Sequence, residues 1–276
     1  MLRENIRLVV CDIDGTIVTS DRLLTPKTKE VIERLHAEGV YFGVASGRSI
    51  EQQLMKSASD WGFDFQFELL IGLNGSEFWD DINKQQHNYY KLQPEWIKEI
   101  LELMEPFDLN PFIYVDGIML CKRLDELMEK SSLKNHTGLV IAEDMSAFYK
   151  KENAKIMFRI PEEKMKEVED YVNQHSSPYY RAFKTQTTML EFTDRRVSKD
   201  VALMKFCEIN HIALSEVLSF GDMSNDNELL ECSGWGVCLC NGDEETKAIA
   251  DEITEKSNDE DGFAHYMEKY FFKTIE

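Results

Sequence analysis

Three apolar runs of strand length, residues 6–11, 40–45 and 69–71, stand close together near the start of the chain, with segments of helical spacing between them. Each run is nearly continuous in Val, Ile, Leu and Phe and does not alternate with polar residues. That is the pattern of strands buried on both faces, which parallel sheets acquire when helices cross over them. Thr25-Pro26 opens the first helical segment, where Val31, Ile32 and Leu35 recur at helical spacing. The end of the chain repeats the rhythm: helix 198–210, strand 217–220, helix 227–232, strand 235–239 and helix 243–250. The two ends together predict one α/β unit built on a parallel sheet.

The pattern changes between them. A helix is expected over 94–104, a strand over 112–120, an alternating strand over 155–160, a helix over 162–175, and strands over 179–183 and 187–192. Alternation implies a sheet with one wetter face. The sequence therefore predicts an inserted α+β domain over 82–187, with 1–81 and 188–276 forming a discontinuous core domain.

Charge narrows the partners. Fifty-one acidic residues against 31 basic give a net charge of −20, which argues against a nucleic-acid backbone or an anionic membrane surface. The polar start Met1 to Arg7 leads into an apolar run too short for a signal-peptide core or a membrane span, so a cytoplasmic protein is expected. Six scattered cysteines without a CxxC pair read as free thiols, and six histidines without HxH or HxxxH spacing offer no zinc site. Any metal should be held by oxygen.

Polar clusters follow the apolar runs of the end segments. Asp12-Ile13-Asp14-Gly15-Thr16 follows the first, Ser46-Gly47-Arg48 the second, Gly221-Asp222-Met223-Ser224-Asn225-Asp226 a later one, and Lys199 opens a helix. In an open parallel sheet, ligands bind at the C-terminal ends of the strands. Asp12 and Asp14 are two residues apart and are expected to face one crevice. Asp12 would attack phosphorus to give an acyl phosphate that water can cleave. Asp14 would protonate the leaving alkoxide and then deprotonate the water. Convergence of Asp12, Asp14, Asp222 and Asp226 beside one lysine calls for a hard divalent cation, and Mg²⁺ suits it. Ser46 with the Gly47 N–H at a helix start would bind phosphate oxygens, and Lys199 would supply fixed positive charge.

Taken singly, these signals are ordinary. Asp-x-Asp-Gly is common in turns. A calcium loop is excluded, because Leu23 stands where its final Glu would be and, counting from Asp222, Asn227 stands where Gly is needed.

Together, in this order, the four clusters resemble the motifs of the haloacid dehalogenase superfamily. Leu73-Asn74-Gly75 before the insert and Leu190-Glu191-Phe192 after it resemble the Cof-type, or IIB, phosphatases. The resemblance implies a Rossmann-like core with an inserted α+β cap that closes over the active site. It implies a small-molecule phosphate monoester as substrate, a sugar phosphate or phosphorylated cofactor, hydrolysed through a phosphoaspartyl intermediate on Asp12. It also implies Mg²⁺ held by the Asp12 side chain, the Asp14 backbone carbonyl and Asp222, with Asp226 in support, and phosphate contacts from Thr16, Ser46, Gly47, Lys199 and Asn225. A phosphomutase of the same superfamily, or a non-enzymatic binder of a phosphometabolite, is the alternative. The chain departs from the family pattern at Asp200, where Gly is frequent, and at Cys240-Asn241-Gly242, where a small residue followed by Asn-Ala is frequent.

Overall fold

The computed structural model describes residues 5–134 and 137–272, so the first four residues of the polar start and the last four of the chain lie outside it. The chain forms two compact units, Met1–Tyr89 with Ser198–Glu276, and Tyr90–Val197.

In the first unit the elements run β1 (Leu8–Asp12), α1 (Pro26–Ala37), β2 (Tyr41–Ala45), α2 (Met55–Asp60), β3 (Leu69–Gly72), β4 (Glu77–Asp80) and β5 (Gln85–Asn88). The second unit holds α3 (Pro94–Met104), β6 (Asn110–Val115), β7 (Ile118–Cys121), α4 (Glu126–Lys134), β8 (Gly138–Ile141), β9 (Lys155–Arg159), α5 (Glu162–Gln174), β10 (Tyr180–Gln186) and β11 (Met189–Asp194). The chain then completes the first unit with α6 (Lys199–Ile209), β12 (Val217–Gly221), α7 (Asn227–Cys232), β13 (Trp235–Cys238), α8 (Glu244–Ile249), β14 (Glu252–Ile253) and α9 (Gly262–Tyr266).

The sheet of the first unit has the order β14-β13-β12-β1-β2-β3-β4-β5, parallel from β14 to β3 and antiparallel from β3 onward. The continuous apolar runs supply both of its faces. From β1, Val9 and Cys11 pack with Phe42, Val44, Leu218 and Phe220 under Val31, Ile32 and Leu35 of α1. Leu8 and Val10 join Leu69, Ile71 and Val217 on the opposite face, under Ala202, Leu203 and Phe206 of α6. Alternate residues of one strand point to opposite faces, so an unbroken apolar run serves two helical layers at once. Thr25 caps α1 by accepting from the Thr28 N–H at 3.1 Å, with Pro26 at its first position.

The second unit has a sheet ordered β10-β11-β9-β6-β7-β8. On one face Ile156, Phe158, Leu190 and Phe192 pack against Ile97, Ile100 and Met104 of α3 and Met165 and Val168 of α5. The other face carries a smaller cluster, Phe112, Met119, Cys121, Met128, Met157 and Met189.

Two expectations differ from the structure. The single strand over 112–120 is a hairpin, because Asp116 and Gly117 both take positive φ (52° and 78°) and turn β6 into β7. Asp-Gly is the pair that fits such a tight turn. The compact units divide at 89/90 and 197/198 rather than at 81/82 and 187/188. The reason is pairing: β5 adds to β4 in the first sheet, and β11 lies between β9 and β10 in the second. Among the described residues no helix is long and apolar enough to cross a membrane, and the six cysteines are free thiols.

Candidate active site

Strand register brings the polar clusters together. Asp12 pairs with Ala45, so Ser46 stands one residue past the end of β2, beside the end of β1. Cys11 pairs with Phe220, so Gly221 and Asp222 emerge on the other side of Asp12. Neighbouring strands lie about 4.8 Å apart, which places these residues within side-chain reach of each other.

Asp12, Asp222 and Asp226 offer carboxylate oxygens that all lie within 4.8 Å of one another, and all three are buried. Lys199, fully buried as the first residue of α6, donates to Asp12 Oδ1 at 2.5 Å and to Asp226 Oδ1. Asp226 Oδ2 accepts from the backbone N–H groups of Asp222 (3.0 Å) and Met223 (3.2 Å), which fixes the turn after β12. Thr16 donates its hydroxyl to Asp222 Oδ1 at 2.9 Å. Glycine is required twice here. Gly15 has φ +89°, and a Cβ on it would lie 2.3 Å from Asp222 Oδ2; a Cβ on Gly221 would lie 2.5 Å from Asp226 Cβ.

Burial pushes the Asp12 carboxyl up to about 7; Lys199 pulls it down, while Asp226 and Asp14 push it up. Asp222 is held well above the usual carboxylate range by burial, then by Asp12 and Asp226. Burial works against the Lys199 ammonium, yet Asp12 and Asp226 outweigh it and keep it above the ordinary lysine range. One ammonium among three carboxylates leaves the cluster short of positive charge. A buried set of hard oxygen donors with a charge deficit fits a divalent cation such as Mg²⁺.

Four carboxylates were expected to converge, and the structure brings three. The Asp14 carboxylate turns outward: Arg48 Nη2 donates to both of its oxygens at 2.7 Å, and Arg22 Nε lies 3.5 Å from Oδ1. It is 43% exposed, which leaves it open to water and to an incoming ligand. Ser46 is buried, and its Oγ accepts from the Arg48 N–H at 3.3 Å. Ser46 and Gly47 precede the helix instead of starting it, since a wide turn over Ile50–Leu54 leads into α2. Asn225 donates to Asn74 Oδ1 at 3.3 Å.

Sequence reasoning gave no partner for Asp14, yet Arg48 stood within the second cluster and was the signal available. It also named the run Cys240-Asn241-Gly242 as a departure without a role for Asn241, the residue of the run that the pattern shares. In the structure Asn241 Nδ2 donates to the Gly15 carbonyl at 2.8 Å and so ties the loop after β13 to the first cluster. Gly242 fits because a Cβ there would meet Cys238 Sγ at 2.6 Å and the Asp222 carbonyl at 2.8 Å. Asp200 is hooked by the Ser198 hydroxyl in the first turn of α6, where a carboxylate also suits the helix N-terminus. A separate cavity of about 230 Å³ lies in the second unit, lined in part by Leu101, Met104, Met145 and Phe158, and shares no residue with the acidic cluster.

Residues 9–267 match the family model of the haloacid dehalogenase-like hydrolases. The chain is 23% identical over 272 residues to 5-amino-6-(5-phospho-D-ribitylamino)uracil phosphatase YitU of Bacillus subtilis, with 96% of this chain and 97% of that one covered. It is 27% identical over 279 residues to a putative phosphatase of Streptococcus pyogenes serotype M6, with 96% and 98% covered. Among solved structures, the haloacid dehalogenase subclass IIB sugar phosphatase BT4131 matches with a TM-score of 0.80 at 22% identity, covering 96% of this chain and 98% of its own. A family model that spans nearly the whole chain, over a parallel sheet that gathers Asp12, Lys199, Asp222 and Asp226 at one edge, identifies this protein as a member of the haloacid dehalogenase-like hydrolases.

Proposed function

We propose that this hydrolase is a Mg²⁺-dependent phosphatase that cleaves a small phosphate monoester through a phosphoaspartyl intermediate on Asp12. The observation that carries the reading is the buried cluster of Asp12, Asp222 and Asp226 with Lys199 bonded to two of its members. Asp12, Asp222 and the Asp14 backbone carbonyl would hold the metal, and Asp226, whose oxygens serve Lys199 and the turn, would support them. When bound, Mg²⁺ supplies the positive charge that lets a carboxylate and a phosphate share this pocket.

The chain's own residues divide the work. Asp12 attacks phosphorus and forms a bond from its carboxylate oxygen as the ester oxygen leaves. Asp14, open to solvent on the same loop, gives its proton to that oxygen. It then takes a proton from the water that attacks the phosphoaspartyl group, which frees Asp12 and releases phosphate. Ser46 and the Gly47 N–H hold phosphoryl oxygens. Lys199 keeps a fixed charge beside the nucleophile, and removal of one such preorganised group costs about 10²–10³ in rate. Thr16 orients Asp222, with which its hydroxyl is already engaged.

For the substrate, the comparisons support a phosphorylated sugar or a compound that carries a phosphorylated ribityl chain, since YitU is named for a phosphoribityl compound and BT4131 as a sugar phosphatase. The inserted segment, expected over 82–187 and compact over Tyr90–Val197, is proposed to act as the cap that selects it. The test is phosphate release from a panel of sugar phosphates, pyridoxal phosphate, flavin mononucleotide and p-nitrophenyl phosphate, with Mg²⁺ or with EDTA. Release that depends on Mg²⁺ supports the reading. Transfer of phosphate within a sugar phosphate without release would point to a mutase, and binding without turnover to a non-enzymatic role.

A further inference from the structure

The turn that follows β3 is strained and touches three of the four clusters. Leu73, Asn74 and Gly75 have φ of 49°, 56° and 101°, so three successive residues lie on the left-handed side of the backbone map. A leucine there is unfavourable, and such backbone persists only where its surroundings over-determine it.

The surroundings can be named. The Leu73 N–H donates to the Arg48 carbonyl at 2.9 Å, and the Asn74 N–H donates to the Ser46 carbonyl at 3.0 Å. The Asn74 side chain, 1% exposed, accepts from the Asn225 amide at 3.3 Å. Gly75 lies so close to the residue before Lys199 that a Cβ would stand 1.9 Å from the Ser198 carbonyl oxygen. One short turn thus contacts the loop of Ser46 and Arg48, the approach to Lys199, and the loop of Asn225.

We propose that Asn74 is a positioning residue, which holds Asn225 and Ser46 at the spacing that grips the phosphoryl group. The proposal rests on the phosphatase reading above. Asn74 acts through its neighbours: its backbone N–H bonds the Ser46 carbonyl and its side chain bonds the Asn225 amide. The φ of 56° explains the residue type, because asparagine tolerates left-handed backbone better than other residues that carry a side-chain acceptor.

The test uses Asn74→Gly, which keeps the backbone geometry accessible and removes the side chain that accepts from Asn225, with Asn225→Ala and the double variant. Inorganic phosphate binding is measured by calorimetry in Mg²⁺, and kcat and KM are measured with p-nitrophenyl phosphate. Asn74→Gly is expected to weaken phosphate binding and raise KM about tenfold, the size of one hydrogen bond, with little change in kcat. The double variant is expected to bind phosphate no more weakly than Asn225→Ala, because the two residues act as one unit. Unchanged phosphate affinity in a folded Asn74→Gly protein, or losses that multiply in the double variant, would overturn the proposal. If the glycine variant does not fold, Asn74→Ala is measured in the same way. A wild type that binds phosphate but hydrolyses none of the esters counts against the phosphatase reading, and the binding comparison still decides this one. A wild type that does neither overturns both.

Discussion

Lys199 Nζ lies 2.5 Å from Asp12 Oδ1, and the same ammonium also bonds Asp226, so residues separated by most of the chain share one buried charge network. The helix that begins at Lys199 fixes the lysine from the backbone, and the end of β1 fixes the aspartate. Both side chains are buried, so the cluster is sensitive to small substitutions in its surroundings.

Gly15→Ala is one such change. A Cβ would enter the space of the Asp222 carboxylate, at 2.3 Å from Oδ2, on a backbone with φ +89°. Strain of this kind costs about 1–3 kcal/mol. The variant should melt at lower temperature and bind Mg²⁺ more weakly than wild type, as read by thermal denaturation and by calorimetry. Mg²⁺ affinity equal to wild type would contradict the expectation that this clash displaces a metal-holding Asp222.

Arg48→Ala should act on the chemical step. Arg48 Nη2 is 2.7 Å from both oxygens of Asp14, while Arg22 is more distant at 3.5 Å. Without Arg48 the acid is held less well. Because a general acid contributes about 10²–10⁴ in rate, kcat should fall by about tenfold or more. In Asp14→Asn the added Arg48→Ala change should cost nothing further. Steady-state kinetics of the two single variants and the double variant measure this, and additive losses would assign Arg48 a role apart from Asp14.

A prediction of stability concerns the second unit. Lys155 and Glu191 form a buried pair at 2.8 Å, with Thr185 donating to the other carboxylate oxygen at 3.1 Å. Glu191→Ala would leave a buried ammonium without its carboxylate, a loss of about 3–5 kcal/mol. Replacement of both residues by apolar ones of similar size should recover most of it. Denaturant unfolding of the single and double variants tests this, and a single variant as stable as wild type would contradict it.

The sequence foretold the core sheet well because its strands are buried on both faces, and that condition leaves an unbroken apolar run such as residues 40–45. Asp12, Asp222 and Lys199 were legible for a related reason: each stands where a buried strand ends or a helix begins, and a charged residue there has few structural uses. Other features were not legible. β4 and β5 pair through Glu77–Asp80 and Gln85–Asn88, and β5 is largely polar and exposed, so its pairing is set by β4 and not by its own pattern. The split of 112–120 into two strands hung on Asp116-Gly117, a two-residue signal within an apolar run. The outward turn of Asp14 depends on Arg22 and Arg48, which approach it from positions 8 and 34 residues away along the chain. Asn74 gave no sign of its left-handed backbone beyond the glycine that follows it.

Asp12 is the proposed nucleophile, and Asp12→Asn removes its attacking carboxylate. With p-nitrophenyl phosphate and Mg²⁺, the folded variant should release no phosphate above background, whereas the wild type should release it. Phosphate release by Asp12→Asn at the wild-type rate would contradict that role, and with it the assignment of the buried cluster as the reacting centre.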